Sequence, residues 1–144
     1  MTYGDFKISI EALLLGDKKL PENKYVLSFL KQGLERVASD CSPLSLVSED
    51  IEDDIFIYLN GSGQFIRVPN LPVSDGDLID LDNSLLGALS NLVASYISTR
   101  PEVYQKCMIN ADKALMDYKW NMYRILEEMQ DDESSKYGCA LKRS

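Results

Sequence analysis

PEVYQKCMINADKALMDYKWNMYRILEEM, Pro101 to Met129, is the stretch on which the fold turns. Proline suits a first helical turn, because the N–H it lacks is one that a helix start leaves unpaired anyway. Beyond it Ala111, Leu115, Tyr118, Met122, Ile125 and Met129 recur at alternating steps of four and three. That spacing predicts one long helix with a single apolar seam. The turn before it, STRP (Ser98–Pro101), is short, so the seam is expected to pack antiparallel on the preceding helix. A self-associating coiled coil usually needs more heptads. Tyr104, Trp120 and Tyr123 fall partly off the seam. They either anchor an interface with a neighbour or lie under a loop.

The preceding helix begins in DLIDLDNSLLGALSNLV, Asp77–Val93, where Asp75, Asp77, Asp80 and Asp82 run into an apolar pattern. A calcium loop begun at Asp75 needs an oxygen ligand fifth, glycine sixth and glutamate twelfth. It finds Ile79, Asp80 and Leu86. Begun at Asp80 it finds ligands in Asp82 and Ser84 but again lacks the glycine and the glutamate. Asp80 and Asp82 instead stand just before the stripe of Leu85, Leu86, Leu89, Val93, Tyr96 and Ile97, so they are expected to cap that helix. Asp75-Gly76 reads as turn chemistry after PNLP.

Two more helices come first. YGDFKISIEALLLG places Phe6, Ile10, Leu13 and Leu14 at helical spacing and stops at Gly16. ENKYVLSFLKQGLERVASD puts Tyr25, Val26, Phe29, Leu30, Leu34 and Val37 on one stripe, with Gly33 as a weak point or a close-packing site. CSPLSLVSEDIEDD has no helical period and is read as irregular, with a short strand at Leu44–Val47. The period then changes to two. In DIFIYLNGSGQFIRVP the runs Ile55–Leu59 and Gln64–Val68 flank NGSG, a hairpin signal, and the first strand is expected to be covered on both faces. The fold class is therefore mainly α, a four-helix bundle-like body with a β-hairpin insertion.

Composition narrows the function. A chain of 144 residues holds one compact domain. Fifteen Lys and Arg against 23 Asp and Glu, a net charge of −8, opposes the phosphate binding on which nucleic-acid recognition depends. No apolar run reaches membrane-spanning length and no leader pattern opens the chain, so a cytoplasmic location is the default. Cys41, Cys107 and Cys139 are far apart and odd in number, which points to reduced thiols rather than disulfides or zinc. Without histidine, Ser-His, Cys-His and HExxH sites cannot be built. No enzyme activity, cofactor or metal is expected.

The order of helices and hairpin, IRVPNLPVSDGDLIDLDNSLLGALSNLVASYIS (Ile66–Ser98) and NADKALMDYKWNMY (Asn110–Tyr123) together resemble the head-to-tail connector, or adaptor, proteins of tailed bacteriophages. The resemblance is one of pattern and covers roughly Tyr3–Met129. It implies a structural virion protein, assembled in the host cytoplasm, that forms a ring of copies, commonly twelve, between capsid portal and tail. DNA would pass through the ring without specific binding. It divides the chain into a helical connector domain, residues 1–130, with its hairpin at about 55–68, and a C-terminal arm, residues 131–144. Tyr137, Leu141, Lys142 and Arg143 of the arm would dock on the portal protein. Tyr104, Trp120, Tyr123, Asn60 and Gly61 would meet neighbouring copies or the next tail protein. Two other readings stand beside it: a monomeric acidic inhibitor or immunity-type protein that mimics nucleic acid, and a metal enzyme built on Asp75, Asp77, Asp80 and Asp82.

Overall fold

The computed structural model describes residues 1–15, 19–59 and 63–137, with side chains as far as Arg124. Four helices, α1 (Tyr3–Leu13), α2 (Asn23–Cys41), α3 (Leu86–Ile97) and α4 (Pro101–Tyr137), surround one core. Between α2 and α3 the chain makes a small antiparallel sheet of β1 (Val47–Ser48), β2 (Ile55–Tyr58) and β3 (Phe65–Arg67), in the order β1-β3-β2. The mainly helical body with its hairpin is thus as the periodicity implies.

The expected stripes supply the core. Phe6, Ile10 and Leu14 are fully buried, as are Val26, Leu30, Leu34 and Val37 of α2. On that stripe Phe29 is partly buried and Tyr25 is about half exposed. α3 is buried nearly all round, including Leu89, Leu92, Val93 and Ala94, because α1, α2 and α4 all pack on it. Its two buried hydroxyls, Ser90 and Ser95, donate to the carbonyls of Leu86 and Leu92 within the same helix. On α4 the seam is buried at Ala111, Leu115 and Tyr118, continues upstream through Cys107 and Val103, and reaches the partly buried Met122. Ile125 and Met129 lie beyond the described side chains. Gly33 sits where α2 crosses α3: a Cβ there would stand 2.9 Å from Leu89 Cδ1 and 3.2 Å from Val93 Cγ2. Its role is close packing.

Two local expectations are corrected. Leu44–Leu46 forms a 3-10 turn, and the strand begins only at Val47, where it pairs with Ile66. β2 is not covered on both faces. It is an edge strand with an irregularity between Ile55 and Ile57, leaving Ile55 and Tyr58 exposed while the central β3 buries Phe65 and Ile66. The alternation of its apolar side chains could not report a bulge, which inserts one residue and turns the ones beside it. α1 ends through Leu14 and the left-handed Leu15, and the expected stop at Gly16 lies outside the described residues.

Candidate functional site

Each of the four aspartates has its own structural partner. Asp75 pairs with Lys7 of α1 at 2.8 Å. Asp77 accepts the N–H groups of Val73 and Ser74 at 2.7 and 3.0 Å, closing a turn on itself. Asp80 takes a two-pronged guanidinium contact from Arg67 of β3, 2.7 Å from Nη2, together with the Asn70 N–H at 2.8 Å. Asp82 accepts from the N–H groups of Leu44 and Ser45 and from the Tyr118 hydroxyl, at 3.2, 2.8 and 2.8 Å. Burial alone would raise the Asp80 and Asp82 carboxyls, but these hydrogen bonds outweigh it and hold both below the usual aspartate value. Burial, with the hydrogen bond to Asp82 second, pushes the Tyr118 phenol up to about 12.

The capping expectation is thereby corrected. Neither Asp80 nor Asp82 hydrogen-bonds the start of α3 with its side chain. Asp82 caps a different turn, the 3-10 turn at Leu44–Leu46, which lies 37 residues away from it at Ser45. Sequence adjacency favours the nearest helix start, whereas tertiary packing brings another set of orphan N–H groups closer. Among the described residues no three of His, Cys, Asp or Glu gather as a metal site. Cys41 and Cys107 are free thiols, Cys41 pushed up to about 11 by burial.

The surface of α4 is different. Opposite the buried seam, Ile109, Met116, Trp120 and Tyr123 are 66%, 61%, 60% and 56% exposed. At about 100° per residue all four fall within roughly 60° of arc, so they form a second apolar stripe. Trp120 and Tyr123 meet edge to face with centroids 6.2 Å apart. With Met116 and Lys119 they line a shallow depression of about 450 Å3. Tyr104 is also exposed, but it lies about 120° around the helix from Met116 and does not join the stripe. Ile109 and Met116 were not singled out from the sequence, although Ile109, Met116 and Tyr123 recur every seven residues. The seam at the core positions, richer and better spaced, conceals this second repeat.

A second surface feature lies where α2 meets the chain leaving β3. Leu34, Val68, Pro69 and Leu71 wall a groove of about 210 Å3, with Lys31 and Glu35 also lining it. The remaining expected contact residues cannot be placed: Asn60, Gly61, Leu141, Lys142 and Arg143 lie outside the described residues, and of Tyr137 only its place at the end of α4 is described. Among the described residues no helix is long and apolar enough to cross a membrane. No family model, curated protein or solved structure matches this chain.

Proposed function

We propose that this chain is a structural protein of a tailed-bacteriophage virion, a ring-forming connector between the capsid portal and the tail. The observation that carries the reading is the second apolar stripe of α4. A helix with apolar faces on opposite sides belongs between two layers, and among the described residues the chain's own body supplies only one. α4 spans about 55 Å against about 18 Å for α3, so much of it extends past its partner. The net charge of −8 suits a channel wall that lets DNA pass without gripping its phosphates. The aspartates, each engaged in holding loops, support a protein that acts by assembly rather than by chemistry.

On this reading neighbouring copies, commonly twelve, join through the helical body. Asn60 and Gly61 meet the next tail protein, and Tyr137, Leu141, Lys142 and Arg143 engage the portal. The test is to mix the purified protein with portal complexes from its own phage and image them by electron microscopy. A symmetric collar on one face of the portal is expected. A protein that remains monomeric and leaves portals bare would overturn the proposal and favour the acidic inhibitor.

A further inference from the structure

We infer that the ring contact is head-to-tail, with Trp120 of one copy seated in the groove of Leu34, Val68, Pro69 and Leu71 on the next copy. The inference rests on the connector reading and specifies its interface. A groove of about 210 Å3 is small for an organic ligand, whose sites usually take roughly 300–1,000 Å3. It suits one inserted side chain. Its floor is the buried Leu34 and its open wall is the part-exposed Val68 and Leu71, 38% and 40% exposed, so an aromatic ring entering it would cover apolar surface that now faces water.

Charge selects the occupant. Lys31 and Glu35 line the groove one helical turn apart, while Lys119 and Asp117 flank Trp120 on α4. None of these four charges takes part in an ion pair among the described residues. Lys119 can therefore meet Glu35, and Asp117 can meet Lys31, with the indole between them. An interface with an aromatic anchor in a pocket and paired charges at its rim has the usual composition of a specific contact. A second copy offers this set, whereas the stripe placed against itself across a two-fold axis would leave the groove and its two charges unmatched. Because knob and groove are different surfaces, the contact is heterologous, and repetition of such a contact closes a ring when the rotation between copies allows it.

The experiment measures occupancy of portals by full-length protein across a concentration series, with the melting midpoint of each variant recorded beforehand. Trp120→Ala should raise the concentration for half-occupancy by about 30-fold or more, the effect of losing a central aromatic anchor. Glu35→Lys and Lys119→Glu should each weaken assembly several-fold, and the double variant should recover most of the loss. Trp120 and Lys119 are exposed and Glu35 is partly exposed, so midpoints should hold. Single reversals without effect, or a double variant no better than either single, would sink this interface even where the wild-type protein rings portals normally. Sensitivity to Trp120→Ala with indifference to Glu35→Lys would mean that the stripe meets another surface, and likewise overturns it. Wild-type protein that never binds portals would instead remove the connector reading itself.

Discussion

Tyr118 of α4 donates its hydroxyl to Asp82, 2.8 Å away, and the same carboxylate holds the N–H groups of Leu44 and Ser45. One side chain thus joins the long helix, the segment leading into α3 and the turn leading into the sheet. Asp82→Ala should cost about 1–3 kcal/mol, because it takes the acceptor from the Ser45 N–H and the Tyr118 hydroxyl in a part-buried place and leaves the Leu44 N–H only its 3.3 Å bond to Tyr118. Tyr118→Phe removes the bond to Asp82 and the longer one accepted from the Leu44 N–H at 3.3 Å, but it keeps the ring and leaves that N–H its bond to Asp82, so about 0.5–1.5 kcal/mol is expected. Urea denaturation of both variants checks the order. Equal, negligible effects would show that solvent satisfies these groups.

Acid should weaken the fold through the same residues. The folded values of Asp80 and Asp82 lie below the ordinary aspartate value of about 3.9. A depressed carboxyl contributes stability that is fully present above the unfolded pKa and is lost as pH falls through the folded one. The loss attributable to these two groups therefore begins near pH 4 and continues below it. Asp80→Asn should flatten that part of the stability curve, measured as melting midpoint from pH 6 to pH 2. A slope unchanged by the substitution would assign acid sensitivity elsewhere.

Gly33 separates two opposing effects. Alanine there gains about 1 kcal/mol of helix propensity. Its Cβ would nevertheless press on Leu89 Cδ1 at 2.9 Å, the tip of a fully buried side chain that must shift to admit it. Gly33→Ala should fall within about 1 kcal/mol of wild type, whereas Gly33→Val adds branched bulk against Val93 as well and should cost about 1–3 kcal/mol. Chemical denaturation distinguishes them. A valine variant as stable as wild type would place the α2–α3 crossing farther apart.

The two faces of α4 should respond oppositely. Leu115, 4% exposed, belongs to the core, and Leu115→Ala should cost about 2–5 kcal/mol. Met116, next to it and 61% exposed, should tolerate Met116→Ala within about 0.5 kcal/mol. Thermal melts of the isolated protein make the comparison.

The long-period elements were the readable ones. Phe6 with Ile10, Leu30 with Leu34, and Ala111 with Leu115 all sit at spacings that bury one helix face, and the structure buries them. The hairpin was readable because NGSG interrupts two runs of strand-forming residues. What escaped was decided by partners distant in sequence. Nothing near Asp82 announces that Tyr118 and Ser45 will surround it, and nothing near Ile55 announces a bulge. The outward stripe of α4 escaped for another reason, since burial and exposure leave the same apolar letters.

The start of α1 raises a matter of timing. Its Tyr3 and Gly4 N–H groups donate to the carbonyls of Asp77 and Asp75, at 2.8 and 2.9 Å, and a Cβ on Gly4 would stand 3.3 Å from the same Asp75 oxygen. The first turn of the first helix is therefore completed by a loop lying 74 residues from Tyr3. At about 5–20 residues per second on a ribosome, α1 waits roughly 4–15 seconds for its acceptors to be synthesised. Throughout that interval α1 carries Phe6 and Ile10 with neither α3 nor the loop to cover them, which leaves it open to chaperones and to premature association with its sisters.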